Sequence, residues 1–196
     1  FVSMKNYGSL YMDIDSMEPL MPDDISGKLE KLAAEIIHKT GMLSGAMHPI
    51  TRKAIAEFLR PMNSYYSNLI EGHDTHPIDI DKALKNEFSE DKKKRNLQLE
   101  ARAHILLFEE IQKEMHSEKK TIALSSDYIK SIHRRFYEFL PSEFKEVIDK
   151  EGNVRYVIPG EFRTGEVEVG RHIAPYSDSL NSFMSRFENF YKMISP

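Results

Sequence analysis

The sequence predicts an all-α fold with one small β excursion, and three observations lead there. Apolar residues recur at helical spacing through most of the chain. Only the stretch from Val147 to Ile173 changes character, with four glycines and alternating β-branched residues. Cysteine is absent, so no disulfide framework takes the place of a packed core.

Residues 1–24 carry Pro19, Pro22 and a scatter of Tyr and Met without period, and are expected to form an irregular arm. Asp23 or Asp24 can cap a helix from Ile25, where Leu29, Leu32, Ala33, Ile36 and Ile37 recur at helical spacing; Gly41 and Gly45 punctuate its end. Thr51 can cap a second helix holding Ala54, Ile55, Phe58, Leu59, Met62, Tyr65, Tyr66, Leu69 and Ile70. Pro61 is expected to kink or divide it, and Gly72 to end it. A polar turn from His73 to Pro77 leads to a short helix around Asp79 to Leu84. Longer helices follow at about 96–115 and 126–140. The 147–173 stretch is expected to form a β-hairpin or extended flap between helices. A last helix begins near Ser177 or Asp178 and carries Leu180, Phe183, Met184, Phe187 and Phe190. There is no internal repeat and no low-complexity segment.

Composition narrows the function. The 196 residues include 40% apolar and 30% charged residues, and the net charge is -4. That balance offers nucleic acid no general attraction, since non-specific binding depends on basic surfaces. No apolar run approaches the ~20 residues that span a bilayer, so no membrane partner is expected. Without cysteine, Cys-containing zinc sites are excluded. The chain begins at Phe1 and ends while an apolar helical pattern is still running, so a fragment of something longer is expected.

The most informative stretch is Ser67-Asn68-Leu69-Ile70-Glu71-Gly72. Ser67 and Glu71 are four apart and share a helix face, while Leu69 and Ile70 are expected to point toward a core. Glu71 falls in the last turn, where the helix dipole disfavours an acid by ~0.3–1 kcal/mol. An acid placed against that preference suggests a fixed positive partner such as an arginine. A helix that ends in Glu-Gly with no further role is the plainer reading of the hexapeptide alone.

Ser67 to Gly72 resembles the inhibitory motif of Fic proteins, (S/T)xxxE(G/N), and matches it at each specified position. The helix-forming segments from Ile25 and Thr51 are similar to the helical region that precedes this motif in the family. Ser131-Ile132-His133-Arg134-Arg135-Phe136 resembles the helix near the start of the Fic core. Gly160-Glu161-Phe162-Arg163, then Val167-Glu168-Val169-Gly170 and Ala174-Pro175, resembles the family run "G-x-y/f-R … V … P". The resemblance covers about residues 20–196 in the family's order. One departure matters: the catalytic loop HxFx(D/E)GNGR is absent. His48-Pro49-Ile50 and His76-Pro77-Ile78 start with a histidine but lack the Phe and lead into no Gly-Asn-Gly-Arg run.

The resemblance implies a Fic-like helical bundle, with 25–95 as the region bearing the inhibitory helix and 96–196 as the first part of the core, flap included. It implies the regulatory and target-docking portion of a cytoplasmic protein adenylyltransferase, which transfers AMP from ATP to a Ser, Thr or Tyr hydroxyl of a target protein. The complete protein would use ATP and Mg²⁺, with a homodimer possible; no catalytic residue lies in these 196 residues, and no tightly bound cofactor is expected on them. Ser67, Glu71 and Gly72 would form the lock, Glu71 occupying the loop arginine that otherwise grips the γ-phosphate. Arg163, Thr164, Gly165, Glu166, Val167, Glu168 and Val169 would form the flap that docks the target by strand-like pairing. An ordinary hairpin packed on its own domain explains the same valines. The alternative function is a non-enzymatic helical regulator, as where the inhibitory helix sits on a separate antitoxin chain.

Other features suggest less. His73 and His76 flank a Pro-bounded turn rather than sharing a helix face, so no metal site is expected there. His133 lies on an amphipathic helix and is read as a core or hydrogen-bonded histidine. Lys92 to Arg95 is too short and isolated for nucleic acid and reads as a solvated helix start.

Overall fold

The structure is a computed structural model that describes residues 14, 26–73, 75–115, 123–148, 152–169 and 172–194. Side chains at 168, 169, 172, 173 and 192–194 fall outside the description, as do the expected arm (Ile14 apart) and the caps at Asp23 and Asp24. The described elements are α1 (Lys28–Ala46), α2 (Pro49–Ile70), α3 (Pro77–Leu84), α4 (Lys92–Met115), α5 (Ser126–Glu138) and α6 (Leu180–Ile194). Four short strands, β1 (Glu146–Ile148), β2 (Val154–Tyr156), β3 (Glu168–Val169) and β4 (His172–Ile173), lie between α5 and α6. The fold class is all-α with a small β element. No helix among the described residues is long and apolar enough to cross a membrane.

The described residues divide into two compact units, one within Met21–Phe108 and one within Glu109–Pro196. In the first, Ile80, Ala101 and Ile105 form a buried cluster, with Tyr65 and Leu84 packed against it. Gln98, itself buried, ties this core to the α3–α4 connection. Its Nε2 donates to the Asp79 carbonyl at 3.1 Å, and its Oε1 accepts from the Ser89 amide at 2.7 Å. A buried amide with both ends satisfied stabilises the turn it spans rather than opposing folding. Lys94 reaches the buried Asp79 carboxylate at 3.0 Å. The Lys92–Arg95 run is a helix start, as expected, with Asp91 Oδ1 accepting from the Lys94 amide at 2.8 Å.

In the second unit, α5 and α6 pack around Phe183, which is 2% exposed. Ser125 caps α5 by accepting from the Tyr128 amide at 3.2 Å, and Glu188 of α6 accepts from the Ser126 amide. Arg135 forks onto Glu110 (2.8 Å) and Glu114 (3.0 Å), tying α5 to the last turns of α4.

Several expectations are corrected. The second helix starts at Pro49, not beyond Thr51, because His48 is the cap: its Nδ1 accepts from the Ile50 amide at 3.3 Å and Pro49 pre-sets the first helical φ. Pro61 neither ends nor divides α2, which runs unbroken to Ile70 with its later turns anchored by Tyr65 on the core. Gly41 does not end α1; it and Gly45 lie inside a helix that continues to Ala46. The 147–173 flap is two separate antiparallel ladders: Glu146↔Tyr156 to Ile148↔Val154, and Glu168↔Ile173 with Val169↔His172. Leu69 and Ile70 face solvent, Ile70 at 84% exposure, because the core takes α2 by the Ser64–Tyr65 side.

Candidate functional site

Ser67, Glu71 and Gly72 come together at the end of α2, and the local chemistry explains how. Gly72 adopts φ 79°, a left-handed conformation that side chains resist. Its amide donates to the Leu69 carbonyl at 3.0 Å, and the His73 amide donates to the Asn68 carbonyl at 2.8 Å. These two bonds are the Schellman closure, and they satisfy carbonyls that the helix end would leave orphaned. Glu71 is thereby held as the capping residue just past Ile70, its amide still bonded to the Ser67 carbonyl at 3.3 Å. Its carboxylate is exposed, one turn beyond the exposed Ser67, and no arginine pairs with it among the described residues. An exposed acid at the negative end of a helix is a ready acceptor for an incoming guanidinium.

The side chain just past this end faces α4. His73 Nδ1 lies 3.7 Å from Glu100 Oε2. Burial pushes the Glu100 carboxyl above the ordinary glutamate value, with the His73 charge opposing that rise. Sequence reading missed Glu100, because helical period places it on α4 but says nothing of what stands opposite. His76 caps α3 through its extended backbone, so the two histidines of the turn serve different ends. Among the described residues, no group of three His, Asp or Glu is placed to hold a metal ion.

The flap residues assemble in the other unit, as an anchored hairpin. The Arg163 guanidinium donates to the carbonyls of Gly165 (2.7 Å) and Pro175 and lies 3.7 Å from Glu166. Glu166 Oε1 accepts from the Ser177 amide (3.1 Å) and hydroxyl (3.0 Å). The Ser177 amide above all holds the Glu166 carboxyl below its ordinary value. The Thr164 carbonyl, 3.3 Å from the same Ser177 hydroxyl, is the alternative acceptor for its one proton, and the Ala174 amide donates to the Val167 carbonyl at 3.2 Å. The hairpin 163–177 is thus closed at its base, and Glu168–Val169 with His172–Ile173 form its ladder. Among the described residues each strand pairs with one other strand.

The loop ahead of the hairpin rests on α5. The Gly160 amide donates to His133 Nδ1 at 2.9 Å, making His133 the hydrogen-bonded histidine the sequence suggested. Gly160 takes φ 83°, and a side chain there would meet Arg134 at 2.8 Å. Lys130 stands over the Phe162 ring, 4.1 Å from its centre. The sequence placed Pro175 in the family-like run and Ser177 at a helix start, but nothing in it showed that both close the hairpin. No protein-family model, curated protein or solved structure matches the chain.

Proposed function

We propose that the chain is the regulatory and target-docking portion of a Fic-type protein adenylyltransferase, with Glu71 as its lock. The observation that carries this reading is Glu71 itself. The Schellman closure at Gly72 holds it at the end of α2, its carboxylate exposed, in a stretch that matches (S/T)xxxE(G/N) at each specified position. The guanidinium it would engage belongs to the HxFx(D/E)GNGR loop, which this sequence does not contain. With the arginine held by Glu71, the γ-phosphate of ATP loses its clamp, and the nucleotide sits in a pose unfit for in-line attack. Ser67 supports the turn from which Glu71 projects. The hairpin anchored at its base by Arg163 and Ser177 supports docking, since a two-stranded ladder can accept an extended segment of a target protein by strand addition. ATP and Mg²⁺ belong to the complete protein, which on this reading works in the cytoplasm.

Two measurements test it. Residues 1–196 with labelled ATP and Mg²⁺ should transfer no AMP to themselves or to added protein; labelling would overturn the assignment. In the protein that also carries the loop, Glu71→Gly should raise self-labelling at least about tenfold, the loss of ~1.4 kcal/mol of inhibition or more. Equal labelling of both forms removes Glu71 from the role. The absent loop also favours a second reading, a regulator that supplies Glu71 to a separate catalytic chain. Inhibition of such a chain by residues 1–196 in trans, lost with Glu71→Gly, distinguishes the two.

A further inference from the structure

We infer that His133 is an acid-released latch, which holds the turn between the two ladders on α5 while its ring is neutral and frees it when the ring is protonated. The latch is independent of the adenylyltransferase reading. Ile158 to Glu161 form a tight turn, in which the Glu161 amide donates to the Ile158 carbonyl at 3.1 Å. Pro159 pre-sets the first central position and Gly160 takes φ 83° at the second, the pattern of a type II turn. The turn's own bond uses the Glu161 amide, so the Gly160 amide needs an acceptor from elsewhere. His133 Nδ1 is that acceptor, at 2.9 Å. Gly160 is buried, so loss of the bond leaves its amide unsatisfied.

An imidazole accepts only through an unprotonated nitrogen, so the neutral ring carries its proton on Nε2 and offers the Nδ1 lone pair to Gly160. A second proton goes to Nδ1 and turns the acceptor into a donor facing another donor. The groups around the ring add to that opposition. Arg134 bears on the same glycine, where a Cβ would stand 2.8 Å from its Nε. Lys130, one turn earlier on α5, stands over the Phe162 ring and lies 3.9 Å from Glu161. Tyr137 packs edge-on to the His133 ring, 5.0 Å between centres. Arg163 is spent on the Gly165 and Pro175 carbonyls, and Arg135 on Glu110 and Glu114 of α4. Glu188 of α6 accepts from the Ser126 amide, two turns before His133. Of these groups Glu161 is the one acid at the turn, and Lys130 shares it. The base of the hairpin does not follow the latch. The Ser177 amide above all holds the Glu166 carboxyl below its ordinary value, so that closure persists where imidazoles take up charge. Acid therefore frees the turn from α5 and leaves the hairpin 163–177 intact.

Nitrogen-15 NMR on the 196-residue chain follows both partners of the bond. The His133 ring should report the Nε2–H tautomer at about pH 8 and the charged form at about pH 5. Over that change the hydrogen-exchange protection of the Gly160 amide should fall at least about tenfold more than that of amides inside α5. His133→Asn sets a side-chain oxygen near the place of Nδ1, an acceptor that does not titrate in this range. In that variant Gly160 protection should change less than about threefold between the two pH values. His133→Leu should leave Gly160 poorly protected at both; if it fails to fold, the wild-type and Asn series decide alone. A His133 ring still neutral at about pH 5 overturns the inference. So does a ring that charges while Gly160 stays protected, or an Asn variant that loses protection in acid as the wild type does.

Discussion

α1 and α4 are both long amphipathic helices, yet α4 buries Gln98, Ala101, Ala103, Ile105 and Leu107 while α1 buries nothing. The difference lies in what the chain does next to each. Before α4, the connection from Lys85 to Asp91 folds α3 back, with Asn86 at φ 62° and Gln98 bonded to both sides of the turn. Ile80 and Leu84 are thereby delivered to Ala101 and Ile105. After α1, the extended pair Met47–His48 leads straight into Pro49, and α1 meets α2 where Arg52 donates to Ser44 Oγ at 2.8 Å. An apolar stripe therefore announces that a helix has a face to cover, and the connections decide whether the chain covers it.

The largest expected effect tests that contrast directly. Ile80→Ala should destabilise the chain by ~2–5 kcal/mol in urea unfolding, since a fully buried side chain leaves a cavity. Ile36→Ala should cost under ~1 kcal/mol. Comparable losses would mean that α1 is packed in solution. Gln98→Ala should follow at ~1–3 kcal/mol, because the Asp79 carbonyl and Ser89 amide lose a buried partner. Gly72→Ala should cost ~1–2 kcal/mol from backbone strain alone, as nothing lies within 4 Å of the added Cβ. A loss at Gly72 below about 0.3 kcal/mol would mean the helix end relaxes and does not hold Glu71.

The smallest effects concern pH and the two half-buried groups of α4. Burial holds His104 below the ordinary histidine value, so the fold favours its neutral form. Its contribution is full above the unfolded value of ~6.5 and is lost as pH falls through the folded one. Glu100 behaves oppositely: its folded value is raised, so its contribution is full below the unfolded ~4.3 and is lost as pH rises through the folded one. His104→Leu should flatten the decline in melting temperature between pH 7 and 5. Glu100→Gln should stabilise the chain at pH 7 and lose that advantage near pH 4. No change in either slope would mean that this side of α4 is solvated.

Much of the fold is legible in the sequence, and the misses have physical causes. The stretches around Leu99–Ile111, Tyr128–Phe139 and Leu180–Phe190 are helices because their apolar period is 3.6. Ends were harder. Thr51 is a good capping residue, but His48 followed by Pro49 starts the helix earlier, since proline at the first helical position gives up no bond. The alternating valines of 147–173 indicate strand, not which strands pair; two ladders form because the Gly160 turn, bonded to His133, separates them. At the candidate site, the helix-closing role of Gly72 follows from local chemistry alone. Glu100 beside His73 and Ser177 beside Glu166 do not, because they come from turns that only folding brings near.

By itself the sequence determined where helices lie, that Gly72 closes one of them with Glu71 at its end, and that strand character is confined to one stretch. These are properties of a residue and its near neighbours: period, capping and φ preference. Tertiary structure alone decided that Ile70 faces solvent while Tyr65 packs on the core, that Gln98 is buried, and that Arg163 grips Pro175 rather than solvent. Burial and hydrogen-bond partners depend on which distant segments meet, and loop closure, not local propensity, sets those meetings.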